Sequence, residues 1–436
     1  MAAGLGTRMR SAMPKHLHPL LGRRLVDWVV DAARALDPEP LVVVTSPETK
    51  DAFDGSLEVA IQEEARGTGD AVAASRAALN GFEGDVLVLA GDSPLLTPEM
   101  LRDLVRTHVE NGAVATVLTF EPGTELPYGR VVRDERGGVR AIVEAADATP
   151  EQLAIRELNA STYVFSAREL WTALEGLRPD NAQGELYLTD TIRGLADTGG
   201  AVAAHRCPDP TAPVGVNTRV ELAAAAAVLR ARLNERHMLA GATIVDPDTT
   251  WIEADVELEA DTTIHPFTVL RGRTRVARGA EVGPHAVAVD AEIGPDTLVG
   301  PFCYLRPGTV LREGAKAGTF VEIKNSTIGA RTKVPHLSYI GDAEIGDDTN
   351  IGAGGITVNF PHKPGRPKGR TKIGRNVRTG VQNAFVAPIE IGDDAWIAAG
   401  SVVTKDVPPG ALAIARARQE NKEDYARRHG DGDDGD

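Results

Sequence analysis

The sequence predicts an α/β protein of two domains, a layered domain with a mixed sheet followed by a parallel β-helix of hexapeptide repeats. Three observations predict it. Short apolar runs alternate with helical stretches over the first half of the chain. Small aliphatics recur at a step of six over the second half, as in IGDAEIGDDTNIGAGG from Ile340 to Gly355. The chain opens on MAAGLGTRMRSAMPK, a glycine-rich loop carrying fixed positive charge.

In the first half, residues 41–44, 57–61, 86–90 and 114–118 read as strands, with helices near 24–36, 69–79 and 98–111 between them. Such alternation favours a mostly parallel sheet covered on both faces, with ligands at the C-terminal ends of its strands. ELAAAAAVLRARL, from Glu221 to Leu233, has strong helix propensity and little to bury beyond alanine. A helix from Arg219 to about Met238 is therefore expected to join the domains. The alternative is an ordinary surface helix of the first domain.

After Gly241 the aliphatic step begins. It runs through Val276, Val282, Ala288, Ile293, Val299 and Leu305, and it closes on Ile391, Ile397 and Val403. An amphipathic helix needs spacings of three and four, so this is not one. Six suits a solenoid of triangular coils in which each side points one aliphatic inward. VNFPHKPGRPKGRTK, from Val358 to Lys372, breaks the register and is basic. It is expected to loop out and carry binding determinants. The expected boundaries are 1–218, 219–239, 240–415, and an arm with a disordered acidic tail at 416–436.

A chain of 436 residues has room for two or three cores. Its 47 Lys and Arg stand against 62 Asp and Glu, a net charge of −15. That balance argues against a nucleic-acid coat, and it makes a nucleic-acid reading of the basic loop poor. The two cysteines, Cys207 and Cys303, form neither a disulfide framework nor a close metal pair. With no apolar run of about 18 residues and no secretory pattern, a cytoplasmic location is expected.

The chemistry-bearing residues fall in two groups. AGLGTRM, from Ala3 to Met9, offers glycines for close backbone approach, and Arg8 with Lys15 offers cations, the equipment for a triphosphate. It matches neither GxxxxGK[ST] nor GxGxxG. In LAGDSP, Asp92 follows a buried strand, where it either ligates Mg²⁺ or caps the next helix. In the second half Arg306, Lys324, His336 and Tyr339 lie on successive coils. Imidazole is poised near neutral pH, which makes His336 the natural general base, and the cations beside it call for a sugar phosphate.

These motifs carry a resemblance. MAAGLGTRMRSAMPKHLHPLLG resembles the nucleotide-binding signature of sugar-phosphate nucleotidyltransferases. The whole chain except the tail is similar to the bacterial bifunctional N-acetylglucosamine-1-phosphate uridyltransferase/glucosamine-1-phosphate N-acetyltransferase family. The resemblance implies a Rossmann-like nucleotidyltransferase domain, then a left-handed parallel β-helix, in a homotrimer making UDP-N-acetylglucosamine for cell-wall precursors. It implies that Met1, Ala2, Ala3 and Gly4 lie along the nucleotide, that Arg8 and Lys15 hold phosphates, and that Gln62, Gly67 and Thr68 meet the uracil. Asp92 and Asn217 would ligate Mg²⁺, while Gly129, Glu144 and Asn159 read the sugar, near Tyr187, Thr189 and Asp190. In the second domain it assigns the phosphate of glucosamine-1-phosphate to Arg306 and Lys324, the sugar to Tyr339 and Asn350, and the base to His336. Ala353, Asn359, Phe360, Lys368, Val381, Ala399 and Arg416 would meet acetyl-CoA.

The chain also departs from the family. A hydrophobic strand precedes the glycine loop there, whereas this chain begins at the loop. A start placed too far downstream is the expectation, and a real truncation leaving only the acetyltransferase is the alternative. Ser161 stands where the family has glycine, Phe360 where tyrosine is usual, and Val381 in place of serine. Two other readings compete: a nucleotidyltransferase for another sugar-1-phosphate with a structural β-helix, and a non-enzymatic trimeric scaffold.

Overall fold

The computed structural model describes the chain except residues 5, 54, 56, 362–364, 366 and 430–436, so the acidic tail expected at 430–436 lies outside the described residues. The chain divides into two compact units, Met1–Leu229 and Arg230–Asp436.

In the first unit β1 (Pro19–Leu20) pairs antiparallel with β2 (Arg23–Arg24), ahead of α1 (Leu25–Arg34), β3 (Val42–Thr45) and β4 (Glu58–Ile61). Next come α2 (Thr68–Ala74), β5 (Asp85–Val88), α3 (Pro98–Glu110), β6 (Ala115–Phe120), β7 (Arg130–Arg133) and β8 (Val139–Val143). They are followed by α4 (Pro150–Leu153), β9 (Leu158–Ser166), α5 (Ala167–Glu175), α6 (Thr189–Asp197) and β10 (Val202–Arg206), and then by α7 (Arg219–Leu239), within which the first unit ends at Leu229. Every residue of β6 is buried, as a central strand covered on both faces requires. The parallel pairing expected from the alternating pattern holds for β3 with β4 and for β6 with β10. By contrast β9 runs antiparallel to β5, β6 and β7, so the six-stranded sheet is mixed. Helix α2 stops at Ala74, short of the expected 79, where the Ser75 hydroxyl donates back to the Val72 carbonyl at 2.7 Å.

The β3–β4 pair stands apart from the six-stranded sheet. An apolar slot of about 460 Å³ lies between β3 and β5, lined by Val43, Val44, Val86, Val88, Val30 and Val72 among others. Met1 and Ala2 close its end. The Met1 amine donates to the Leu89 carbonyl at 2.8 Å, and Ala2 pairs in parallel with Thr45.

The second unit is a parallel β-helix with three faces. The first face starts at Thr243–Ile244 and reaches Lys333–His336; the second runs from Trp251–Ile252 to Val402–Val403; the third runs from Glu257–Leu258 to Ile389–Ile391. The six-residue step now has a physical meaning. Leu305, Ile323 and Ile340 stack in exact register on successive coils, all fully buried, because every coil returns the same inward position to the axis. The corner between the first and second faces carries residues with left-handed backbone, among them Phe267, His285, Phe302, Phe320 and Leu337. The rings of the first four stack along the helix at 4.7, 4.8 and 5.4 Å between centroids. They form an exposed apolar ridge ending at Leu337, beside His336.

Candidate active sites

A cavity of about 450 Å³ at the strand ends of the first unit collects most residues expected there: Met1 to Gly4, Arg8, Lys15, Gln62, Gly67, Thr68, Asp92, Gly129, Glu144, Asn159 and Asn217. The chain makes this assembly by short local devices. Asp92 follows β5, and its carbonyl accepts from the Val216 amide at 2.8 Å, which brings the segment before α7 to it. Thr218 and Glu221 form a capping box at the start of α7, in which the Glu221 carboxylate accepts from the amides of Asn217 and Thr218 at 2.7 Å each. That cap aims Asn217 at Asp92.

Lys15 donates to both, to the Asp92 carboxylate and to Asn217 Oδ1 at 2.8 Å, and Arg8 donates to Asn217 Oδ1 at 2.9 Å. Two side-chain oxygens thus converge on one ammonium. An all-oxygen pair lining a cavity fits a hard divalent cation, and Mg²⁺ characteristically takes one or two carboxylate-type ligands and keeps its waters. Among the described residues no cluster of three His, Cys, Asp or Glu is found. The helix-cap alternative for Asp92 loses ground, since Thr97 caps α3 through its hydroxyl.

Among the residues expected at the uracil, Gln62 donates to the Gly67 carbonyl at 3.1 Å and to Asp70 at 2.9 Å. Gly67 has φ 119°, and a Cβ there would stand 2.6 Å from the Leu186 carbonyl, so only glycine lets the two loops approach. Among those expected at the sugar, Thr189 donates to Glu144 at 3.0 Å, while burial and the nearby Asp190 and Asp147 push the Glu144 carboxyl up. Asp190 and the buried Tyr187 flank this region without lining the cavity. Two contributors went unread in the sequence. The Tyr128 hydroxyl accepts from the Gly215 amide at 2.9 Å, and burial pushes it up to about 12. His16 lines the cavity, stacks on Phe53 at 6.2 Å, and is lowered to about 4, chiefly by burial and then by the Met1 amine, Arg24 and Lys15.

In the second unit, Arg306 and Lys324 fall in one column of the second face, with Tyr339 nearby in the register Tyr304, Glu322, Tyr339, Ile356. Arg306 pairs with Glu322 at 2.7 Å, a partner the sequence reading missed. Lys368 stands against Lys324, and with Arg306 it pulls the Lys324 ammonium down. Lys368 therefore sits beside Lys324 and Arg306. Asn359 donates to Asp342 and approaches the Tyr339 hydroxyl at 3.5 Å, and Phe360 is exposed beside it. His336 ends its strand at the corner of the first and second faces and is exposed there. The same corner continues downward by backbone hydrogen bonds: Gly354 to the His336 carbonyl, Gln382 to Ala353, Gly400 to Val381. It thus aligns His336, Ala353, Val381 and Ala399, and Arg416 reaches Gly400. Asn350 is the outlier. It bridges Lys333 and Arg378 on the first face, away from the second-face column.

Comparison with known proteins adds three findings. Residues 1–195 match the family described as MobA-like NTP transferase domain, and residues 370–405 match the hexapeptide repeat of succinyl-transferase. The chain is 47% identical to the bifunctional protein GlmU of Streptomyces avermitilis, over 98% of this chain and 93% of that one. It is 48% identical to that of Streptomyces coelicolor, with the same coverage, and 43% identical to that of Thermoanaerobacter pseudethanolicus, over 98% and 96%.

Proposed function

The chain belongs to the family of bifunctional GlmU proteins and is an enzyme of UDP-N-acetylglucosamine synthesis, and from that premise we propose how its two units divide the work. The second unit transfers acetyl from acetyl-CoA to glucosamine-1-phosphate. The first then joins N-acetylglucosamine-1-phosphate to UTP and releases pyrophosphate. The observation that carries this reading is the presence of two separate cationic constellations, one in each unit, each beside groups fit for its own step.

In the first unit a phosphate oxygen of the sugar-1-phosphate attacks the α-phosphorus of UTP, and the bond to pyrophosphate breaks. No covalent nucleophile is needed, so the work is positioning and charge. Arg8 and Lys15 hold the phosphates; Glu144, Gly129 and Asn159 hold the sugar. Asp92 and Asn217 would hold Mg²⁺, which supplies neutralisation of phosphate charge. In the second unit Arg306, Lys324 and Lys368 take the sugar phosphate. His336 removes a proton from the 2-amine, whose nitrogen bonds to the thioester carbonyl, and the C–S bond breaks to release coenzyme A. Ala353, Val381, Ala399 and Arg416 along the corner, with Asn359 and Phe360, receive acetyl-CoA.

The exposed aromatic ridge supports a homotrimer, in which closed threefold symmetry covers the apolar corner of each chain. It also offers Asn350 a place, since a residue facing away from its own column can face a neighbour's. Among the described residues no helix is long and apolar enough to cross a membrane, and the reading places the enzyme in the cytoplasm. The test is direct: purified protein should release coenzyme A from acetyl-CoA with glucosamine-1-phosphate, and pyrophosphate from UTP with N-acetylglucosamine-1-phosphate. Release of neither would overturn it.

A further inference from the structure

We propose that the Ser161 hydroxyl is a specificity-determining contact of the first unit, hydrogen-bonding a hydroxyl of the sugar in the sugar-1-phosphate. This rests on the nucleotidyl-transfer reading of that unit.

The argument begins with a defect in the sheet. Val117 pairs with Tyr163 and Thr119 with Asn159, so Ala160, Ser161 and Thr162 together oppose Leu118 alone. This is a bulge, and bulges beside active sites re-aim side chains. Ala160 and Thr162 are buried, but Ser161 at its centre is only half-buried and lines the cavity. Its φ is +53°, a left-handed conformation uncommon outside glycine, asparagine and aspartate. A residue held there persists only where its surroundings hold it, and in the first unit this one does so at the cavity.

The surroundings are explicit. The Ser161 amide donates to Asn159 Oδ1 at 3.1 Å, and Asn159 Nδ2 donates to the Tyr163 hydroxyl at 2.7 Å. Buried Asn159 thus spends one lone pair and one amide hydrogen on the bulge itself. The Ser161 hydroxyl makes no hydrogen bond among the described residues, although it lines the same cavity as Glu144 and Gly129. The bulge therefore presents one uncommitted donor and acceptor to the place where the pyranose would sit. A lone hydroxyl of this kind suits a sugar hydroxyl, which can donate or accept.

The experiment compares the parent with Ser161→Ala and Ser161→Gly in pyrophosphate release, using N-acetylglucosamine-1-phosphate and its 3-, 4- and 6-deoxy analogues. Both variants should raise KM for the natural sugar about three- to tenfold, the range of one neutral hydrogen bond. KM for UTP and the acetyl transfer of the second unit should stay within about twofold. Ser161→Gly should melt at or above the parent, because glycine accepts the left-handed backbone freely. One deoxy analogue should abolish the difference between parent and Ser161→Ala, which identifies the hydroxyl read. Unchanged KM for the sugar, or losses that add for every analogue, would overturn the proposal and leave the serine a structural role. A parent that releases no pyrophosphate at all would instead sink the underlying reading, and this inference with it.

Discussion

Two side chains separate the two chemistries most sharply. Replacing His336 with alanine removes the proposed base, and base loss costs about 10²–10⁴-fold in the transfer step. Replacing Asp92 with alanine takes one oxygen ligand from the phosphate pocket. We expect His336→Ala to lose acetyl transfer and keep pyrophosphate release, and Asp92→Ala to do the reverse. Assays of both reactions in both variants at saturating substrate check this, and coenzyme A release within about twofold of the parent in His336→Ala would remove His336 from the role. His16 makes a prediction about pH. It is held neutral, at about 4 against an ordinary 6.5, so the unfolded chain binds its proton first as the solution is acidified. Stability from this group is fully present above pH 6.5 and drains away as pH falls toward 4, an effect on the order of 3 kcal/mol. Urea melts of the first unit's fluorescence at pH 7 and pH 4.5 should show a smaller acid loss in His16→Gln than in the parent; equal losses would contradict it.

At the scale of elements, the loop between residues 358 and 372 joins the second face to the third, and it returns Lys368 to the column of Lys324. Removing that ammonium should weaken the hold on sugar phosphate. Lys368→Ala is expected to raise KM for glucosamine-1-phosphate by about tenfold and to move KM for acetyl-CoA little, as steady-state kinetics with each substrate varied would show. A change confined to acetyl-CoA would return Lys368 to the coenzyme. Some elements were legible beforehand because a period or a run of helix formers announced them. The aliphatic step named inward positions of the β-helix from Val276 to Ile351 and again from Ile391 to Val403, but not Ile373 and Phe385 between them. The run of helix formers from Glu221 to Leu233 was equally plain in the sequence, and the helix expected from Arg219 to about Met238 is α7, Arg219–Leu239. The bulge at Ser161 was not legible, because a register shift depends on the partner strand and leaves no local signature. Nor was the ladder of corner bonds from His336 to Gly400, since residues on successive coils meet only after the coil has closed.

For the whole molecule, the division into two units predicts near-independence of the two activities, as the variants above test. The exposed ridge makes a prediction of assembly. Light scattering at micromolar concentration should return about three times 46.1 kDa, and replacing Phe302 and Phe320 together with serine should lower that mass. A parent mass near 46.1 kDa would rule the trimer out. Motifs of two kinds in one order made both halves readable, yet Asn350 shows the limit of such reading. A motif tells which residues serve one reaction, and not whether they belong to the same copy of the chain.

The stacking of coils has a consequence for how the second unit comes apart. Each coil is paired with the one before and the one after, Leu305 with Ile323 and Ile323 with Ile340. Stability in such a stack is close to a sum of each coil's own term and its nearest-neighbour terms. Opening a middle coil gives up two neighbours and opening a terminal one gives up a single neighbour, so the stack frays from its ends and holds longest around Ile323.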